Sequence, residues 1–564
     1  MTRSSRQKTL KAITDQAFDV LVIGGGINGV STFRELALNG VSVLLVDSKD
    51  YCAGASAAPS RLAHGGIKYL ENGEFRLVAE ATHERNRLLQ NAAHVIKPLP
   101  CTMPFESWFG GLFSSAFKFF RLPGAKFQKR GVVVVKLGLM IYDWMGRKQR
   151  TMPTHQFRWR SDSHKTFNGL DPKVIATATY YDALITQPER LCLELVTDTL
   201  AECEQPCKAL SYASVTGSES EWVMIQDGVT GENVKVKPQL VVNAAGPWID
   251  KVNGQLGVET HYIGGSKGSH LVLDHPELAK ALAGNMLYFE TGDNRLCLAY
   301  PIGDRVLMGT TDLRIDDPDL AVCEDAEVDY ILDVVAQMLP GISINRKHIV
   351  YTYTGVRPLP NDTDVGVGKV SRDHSIEIDE ADANRPFAIT SLVGGKWTTF
   401  RAFGELTADR VMQRLAVTRH RDTHNLGIGG GRDYPAPDKV QTTVNEIMQR
   451  HKLPEQTSRQ LLERYGMNER VFESVAAGNA RQPLTSIDDY RVGEIHYLCE
   501  KELVTRLEDL VYRRTTIALE GFASDEVLEE LASLAAPILG WDTNTRNNEV
   551  EQCKALLKIS VPVA

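Results

Sequence analysis

Residues 18–23 read FDVLVI, a mostly apolar run of strand length that ends at three consecutive glycines. A run apolar on both faces suits the centre of a parallel sheet. After Gly24-Gly25-Gly26, the sequence Ile27-Asn28-Gly29-Val30 opens a predicted helix, and a second apolar run over 41–46 ends in Asp47. Residues 74–89 carry Phe75, Leu77, Val78, Ala81 and Leu88 at helical spacing. From about 155 to 300, short runs such as EWVMI (221–225) predict an antiparallel sheet. Residues 238–248, PQLVVNAAGPW, return to a buried strand ending in small residues. Residues 387–403, FAITSLVGGKWTTFRAF, again read as strand, glycine turn and helix start. One nucleotide-type fold is therefore expected from three separated stretches of chain. The glycine-rich segment 427–437, GIGGGRDYPAP, predicts a linker, and residues 438–564 predict helices, among them 440–451 and 494–517. The expected organisation is an N-terminal tail (1–17), two interleaved domains (18–426), a linker (427–437) and an α-helical C-terminal domain (438–564).

The first strand–turn–helix has the pattern G-x-G-x-x-G. Gly24 permits the tight turn, Gly26 lets backbone approach a pyrophosphate, and Gly29 lets helix and strand pack closely. The helix N-terminus offers free N–H groups and a partial positive charge to phosphates. Asp47 lies about twenty residues on, where an acid accepts a ribose hydroxyl. Strand, helix and acid together point to dinucleotide binding; the plainer alternative is a glycine-rich turn in an ordinary βαβ unit. The motif does not choose between NAD and FAD.

The chain has 564 residues, enough for two or three domains, and 43% apolar residues, enough for a sizeable core. A net charge of −8 without long single-sign runs argues against nucleic acid as a partner. The nine cysteines are scattered, with Cys203 and Cys207 the one close pair, which reads as reduced thiols rather than a disulfide framework or a metal site. The first seventeen residues lack the apolar core of a secretory signal, and no stretch of eighteen apolar residues predicts a membrane-spanning helix. Residues 105–150 interleave aromatic side chains with Lys and Arg. Trp108, Phe109, Phe113, Phe117, Phe119 and Phe120 either dip into a membrane surface or form the core of a helical hairpin over the substrate domain.

Further motifs add chemistry. They are GASAAPSRLAHGGIKYLE (54–71), EFRLVAEA (74–81), VVNAAGPW (241–248), KGSH (267–270), GTTD (309–312), GVRPL (355–359), SRD (371–373), GGKWTT (394–399) and YRRT (512–515). In this order, and with IGGGINGV (23–30), they closely resemble the aerobic, quinone-linked, FAD-dependent glycerol-3-phosphate dehydrogenases and their oxidase relatives, over nearly the whole chain. The resemblance implies an α/β fold: a Rossmann-like FAD-binding domain interleaved with an antiparallel substrate-binding sheet, plus the helical C-terminal domain.

It also implies site residues. Gly24, Gly26, Asn28, Gly29 and Asp47 are expected at the dinucleotide, with Ser56 and Ser60 offering hydroxyls near its diphosphate. His64, Gly65 and Gly66 are expected at the isoalloxazine, Ala245 and Gly246 at a second close backbone approach, and Gly395 and Thr398 near the flavin pyrimidine, where a helix N-terminus meets negative charge on reduction. Arg357 and Arg372 match phosphate-binding positions, and Lys396 an active-site lysine. His270 matches the family histidine that takes the C2-hydroxyl proton, and an imidazole titrating near neutrality suits that task. Lys68, Tyr69 and Arg372 are expected to bind the substrate; Lys68-Tyr69 stands where many members have Arg-Tyr, and lysine keeps the charge and loses the planar fork.

The expected reaction is oxidation of sn-glycerol 3-phosphate to dihydroxyacetone phosphate, with non-covalent FAD, no metal, and electrons passed to a membrane quinone. Alternatives are an oxygen-using oxidase, a dehydrogenase of a larger polyol phosphate such as a tetritol phosphate, and a flavin-binding protein without turnover. The expected location is the cytoplasm, peripherally attached to the inner face of the cytoplasmic membrane; oligomeric state, homodimer included, is left open. Arg513 and Arg514 have phosphate, lipid headgroups or an internal carboxylate as partners to choose from.

Overall fold

The computed structural model describes residues 2–67, 74–108, 131–145, 152–203, 205–291, 295–361 and 373–560. Its strands, in chain order, are β1 (Ala17–Ile23), β2 (Val43–Val46), β3 (Leu62–Ala63), β4 (Ile96–Phe105), β5 (Gln156–Trp159), β6 (Ala176–Ile185), β7 (Cys207–Leu210), β8 (Ala213–Glu219), β9 (Trp222–Asp227), β10 (Asn233–Asn243), β11 (Ser266–Leu273), β12 (Met286–Glu290), β13 (Leu296–Ile302), β14 (Arg305–Gly309), β15 (Leu313–Arg314), β16 (Ile349–Arg357), β17 (Ser375–Asp379) and β18 (Ala388–Val393).

They form two sheets. The first runs β17-β18-β10-β1-β2-β7, with the β8–β9 hairpin continuing from β10. Its centre is parallel: Val20 of β1 lies opposite Leu240 on one side and Val43 on the other, and β10 pairs in turn with β18. The three stretches read from sequence thus lie side by side. Helices Ile27–Ala37 and Phe400–Arg414 cross on one face, so closely that a Cβ on Gly404 would collide with the Ser31 hydroxyl. Val20, Val22, Val30, Phe33, Phe400 and Phe403 fill the core between them. The second sheet runs β15-β11-β14-β13-β12-β4-β6-β3, with β16 added to β11 and β5 to β6. It is largely antiparallel, as the alternating runs predict, with β12 and β4 pairing in parallel. Helix Phe75–Asn91 buries Val78, Ala81 and Leu88 as its spacing requires, while Phe75 at its first turn is exposed.

Three expectations are corrected. The N-terminal segment is not a tail: Arg3–Ile13 is a helix that buries Leu10 and Ile13 against the first sheet, and its Arg6 pairs with Asp227 inside the protein. Residues 427–437 are not a loose linker. Gly429 N–H donates to Asp198, Ile428 N–H to the Asn91 carbonyl, and Gly430 sits where a Cβ would collide with the Tyr465 carbonyl. The glycines are there for close packing rather than for slack. The predicted helix over 494–517 breaks after Val492–Lys501. Leu503 takes a left-handed conformation, and Asp509 accepts the N–H groups of Thr505 and Arg506.

The break lets residues 507–514 turn toward the first sheet. There Arg513 and Arg514 both hold the fully buried Asp50, at 2.7 and 2.6 Å, so an internal carboxylate is the partner of this pair. Arg190–Glu502 (2.7 Å) is a second buried bridge across the same boundary. The helices from Val440–His451 to Thr543–Ser560 enclose a core of their own, built on Leu461, Leu462, Phe472, Leu498 and Leu531. Among the described residues no helix is long and apolar enough to cross a membrane.

Candidate active site

The glycine turn after β1 is as tight as its motif requires. Gly24 has φ +113°, and a Cβ there would collide with the Ala244 carbonyl; one on Gly29 would collide with the Gly24 oxygen. The helix that follows begins at Ile27, with Gly26 at its cap. Its first free N–H, on Ile27, donates to the Ser56 hydroxyl at 3.0 Å, which brings the 54–64 loop to the helix N-terminus. Asp47 accepts from Gly25 N–H (2.6 Å) and Lys49 N–H (2.7 Å). Burial outweighs these bonds and pushes its carboxyl up to about 6. A carboxylate has further lone pairs, so these two bonds leave it able to accept a ribose hydroxyl.

Two more turns close around this cradle. The buried Asn243 side chain accepts from Ala245 N–H and donates to the Ile249 carbonyl, which shapes the turn through Gly246, where φ is +57°. After β18, Gly394 and Gly395 are both left-handed, and a Cβ on Gly395 would collide with the Asn28 amide. Asn28 donates to the Gly394 carbonyl at 3.1 Å, while its own Oδ1 is buried with no hydrogen-bond partner. Trp397 Nε1–H donates to the Ser56 carbonyl, and His64 N–H donates to the Thr398 hydroxyl at 3.0 Å. Thr398 therefore pins the start of the His64-Gly65-Gly66 turn to the glycine turn of the first sheet. Gly66 has φ +74°. Gly65 has a reason that sequence reading missed: its N–H donates to Asp182, and a Cβ would collide with the Tyr142 hydroxyl.

The substrate-side groups assemble on β11. His270 sits opposite Gly309 of β14 and Tyr353 of β16; the glycine leaves room for the imidazole, and Tyr353 stacks on it at 4.8 Å and 14°. Ser60 was expected beside the diphosphate. Instead its hydroxyl lies 2.8 Å from His270 Nε2, because Tyr353 and Tyr300 donate to the Pro59 and Ser60 carbonyls and draw this half of the loop to the second sheet. Nor does His270 titrate near neutrality. Burial, then the charges of Arg357 and Arg61, push it down to about 3, so the imidazole is neutral. Its Nδ1 is buried without a hydrogen-bond partner.

Arg357 ends β16, and its guanidinium lies over Gly268, where any Cβ would collide with it. Nη1 bonds Asp312 at 3.1 Å; Nη2 donates to the Thr310 hydroxyl (3.2 Å) and the Thr311 carbonyl (3.3 Å). Ser266 donates to the same Asp312. The KGSH and GTTD motifs thus have physical content. Gly268 makes room for Arg357, His270 faces the site, and the Thr-Thr-Asp run aims the guanidinium. Lys267 and Ser269 are bound away by the buried Glu327. Asp312, Thr310 and Tyr353 escaped the sequence reading, although GTTD was visible as a motif. Lys396 is half-buried, and its charge is felt by His374 and Glu80. Lys68, Tyr69 and Arg372 lie outside the described residues, as do Phe109, Phe113, Phe117, Phe119 and Phe120.

A family model described as FAD dependent oxidoreductase matches residues 19–410, which takes in both sheets and every turn described above. The chain belongs to this FAD-dependent oxidoreductase family. A second model, described as the C-terminal domain of alpha-glycerophosphate oxidase, matches residues 421–546. The chain is 29% identical to a glycerol-3-phosphate dehydrogenase of Synechocystis, over 96% of each chain. It is 28% identical to a D-erythritol 1-phosphate dehydrogenase of Brucella abortus, over 88% of this chain and 94% of that one. It shares its fold with the FAD-complexed glycerol-3-phosphate dehydrogenase of Bacillus halodurans: TM-score 0.77, 22% identity, coverage 100% and 98%.

The flavin-dependent family and its cofactor, read above from ordered motifs, are borne out. The residues present fit the cofactor of this FAD-dependent oxidoreductase. The Gly24–Gly29 cradle has no room for side chains, the helix N-terminus meets it, and the orphaned Asn28 oxygen and the Gly395 backbone lie alongside.

Proposed function

We propose that the protein oxidises sn-glycerol 3-phosphate to dihydroxyacetone phosphate. The carrying observation is the spacing on β11. The Arg357 guanidinium covers Gly268, and His270 is two residues on along the same face, about 7 Å away by strand geometry. A cation fixed by Asp312 and a neutral imidazole at neighbouring same-face positions of one strand suit a short alcohol with a terminal phosphate. The resemblance of the whole chain to a relative named glycerol-3-phosphate dehydrogenase supports this reading.

In this reading FAD, when bound between the Gly24–Gly29 cradle and the Gly394-Gly395 turn, supplies the hydride acceptor. Arg357 holds the phosphate through its fork and sets the substrate's register. His270 takes the hydroxyl proton at Nε2, where the Ser60 hydroxyl already marks a hydrogen-bonding position, once a phosphate dianion at Arg357 offsets the charge that, after burial, lowers its basicity. Lys396 and Arg357 stabilise negative charge on the substrate oxygen as the C–H bond breaks. Substrate contacts from Lys68, Tyr69 and Arg372, which lie outside the described residues, belong to the same reading.

Electrons then pass to a membrane quinone, and the protein works at the inner face of the cytoplasmic membrane. Helix Val132–Met145 supports attachment. It buries Val132, Val135, Leu139 and Tyr142 against the second sheet and exposes Val133, Leu137 and Met140 on one side. At the start of this helix, where Val133 N–H donates to the Trp108 carbonyl, the exposed indoles of Trp108 and Trp159 meet at 5.4 Å. Such an apolar stripe with aromatic neighbours suits a lipid interface.

A second reading, a four-carbon polyol phosphate as substrate, draws on the comparable identity to the relative named D-erythritol 1-phosphate dehydrogenase. Anaerobic mixing of the FAD-loaded protein with each phosphate, following loss of the yellow absorption, separates the two. Fast bleaching by sn-glycerol 3-phosphate is expected; no bleaching by either phosphate refutes the function. Reoxidation by a soluble quinone should outpace reoxidation by oxygen, and fast peroxide formation would indicate an oxidase. Sedimentation with anionic lipid vesicles tests attachment, which Leu137→Glu with Met140→Glu should abolish.

A further inference from the structure

Asp182 lies near the end of β6, one residue before the point where β3 pairs with that strand (Ala63 opposite Ala183). The chain leaves the sheet immediately after Ala63, and its next two amide N–H groups are both taken by side chains: His64 by Thr398 and Gly65 by Asp182, at 3.0 and 2.8 Å. Asp182 is itself held from two other elements. Arg85, on helix Phe75–Asn91, donates to it at 2.8 Å, and the Tyr142 hydroxyl, on helix Val132–Met145, donates at 3.0 Å. Arg85 also donates to the Tyr142 oxygen at 2.5 Å and to the Tyr181 carbonyl at 3.2 Å. All three side chains are buried, beside an apolar cluster that includes Val78, Leu99, Cys101 and Leu139.

We propose that Asp182, held in place by Arg85 and Tyr142, is a positioning residue that orients the His64–Gly65 peptide at the flavin ring. The inference rests on the reading that the 64–66 turn borders that ring. A buried ion pair is a costly choice where apolar residues would pack as well, so this one calls for a task. The peptide is planar and trans, so a Gly65 N–H aimed at Asp182 aims the His64 carbonyl the opposite way. Without the acceptor the peptide is free to turn over, and Gly65 has no side chain to resist. A reversed carbonyl and N–H beside the ring changes the local field in which the ring takes up charge. The absence of a Cβ at Gly65 follows from the same network, since the Tyr142 hydroxyl and Arg85 occupy that space. Asp182 thus acts through the backbone and touches neither substrate nor cofactor in this account.

Three variants test it. Asp182→Asn, made together with Arg85→Met so that no lone charge is left buried, keeps an oxygen acceptor, and Tyr142→Phe keeps the Asp182–Gly65 bond. The double exchange Asp182→Leu with Arg85→Met removes acceptor and both charges together. In the apo-protein, hydrogen exchange of the peptide covering 62–67 should quicken at least tenfold in the Asp182→Leu variant and stay within threefold of wild type in the Asp182→Asn variant. On titration with FAD, the Asp182→Leu variant should bind at least tenfold more weakly, with an altered visible band. Its kcat per bound flavin should fall at least tenfold while KM for sn-glycerol 3-phosphate stays within threefold. The Asp182→Asn variant should recover most of each loss, and Tyr142→Phe should change each by less than threefold. An Asp182→Leu variant with wild-type exchange, spectrum and kcat per flavin overturns the proposal, as does the Asp182→Asn variant behaving like the Asp182→Leu variant. Wild-type protein that neither binds FAD nor bleaches with the phosphate would instead overturn the function reading.

Discussion

His270 should stay uncharged far into the acid range, and this has a size that can be worked out. Its imidazole is buried, faces Arg357 and Arg61, and is pushed down to about 3 from an ordinary value near 6.5. At pH 5 about 1% of it is protonated in the folded protein, against nearly all of it in the unfolded chain. The folded pKa of this base is depressed, so its contribution costs nothing above about pH 6.5. As pH falls from there toward 3, the unfolded state binds a proton that the folded state refuses. At pH 5 the penalty is about 1.5 × 1.36, or roughly 2 kcal/mol. The assay is NMR of protein carrying ¹⁵N-labelled histidine, with the His270 signals assigned by their loss in His270→Asn. They should keep neutral-imidazole shifts down to about pH 4. The same variant lacks the titrating group, so its stability relative to wild type should improve by roughly 2 kcal/mol between pH 7.5 and pH 5. Adding a phosphate-bearing substrate analogue should raise the His270 pKa, because a dianion at Arg357 offsets the cation that holds it down. A His270 signal titrating between pH 6 and 7 in the free protein would refute the argument, and with it the assignment of a dry, cation-flanked base.

Three further outcomes follow from the same contacts. Gly29→Val places methyl groups against the Gly24 carbonyl and the Ala244 side chain, so purified protein should lose more than nine-tenths of its FAD; a yellow protein with wild-type flavin content would contradict the cradle. Arg357→Lys keeps the charge and loses the fork that Asp312 and Thr310 aim; loss of charge-assisted bonds worth about 2–3 kcal/mol should lower kcat/KM about 30- to 150-fold, and an unchanged KM would argue against phosphate binding there. Asp50→Asn leaves Arg513 with Asp509 and Glu508 but takes the carboxylate from the buried Arg514, at a cost of about 3–5 kcal/mol, so trypsin should release the C-terminal helices and the Tm should fall; a wild-type digestion pattern would contradict the clamp.

The parts of the site that could be read from the chain are those whose chemistry is local. Gly24, Gly26 and Gly29 sit within one strand–turn–helix, where the backbone alone explains them, and Gly395 repeats the logic after β18. The sheet order was partly legible for the same reason: three apolar strands each ending in small residues had to meet at one cofactor edge. Arg357 and His270 are legible as motif positions, but their states are not. A histidine's pKa depends on what surrounds it, and nothing in KGSH announces that Arg61, Arg357 and Tyr353 close around the ring. Likewise Ser60 and Ser56 are four residues apart in a single loop, yet one caps a helix of the first sheet while the other meets a base on the second. The split is made by Tyr300 and Tyr353, hydroxyl donors that come from 240 or more residues downstream.

Gly65 carries that argument furthest. In sequence it belongs to a small-residue turn, and the natural inference is that a cofactor approaches its backbone. In the fold the nearest obstacle to a Cβ is the Tyr142 hydroxyl, from a helix whose other side is an exposed apolar stripe. Two demands of different origin, room for a ring and room for a hydrogen-bond network, therefore select the same residue. Sequence cannot separate them, because both predict glycine. The double variant with Asp182→Leu and Arg85→Met separates them, because it removes the network and leaves Gly65 and the space for the ring untouched. If flavin binding and turnover survive that exchange, the ring alone explains the glycine. If they fall while the substrate still binds, the buried carboxylate beneath the turn is part of how this enzyme presents its backbone to the cofactor.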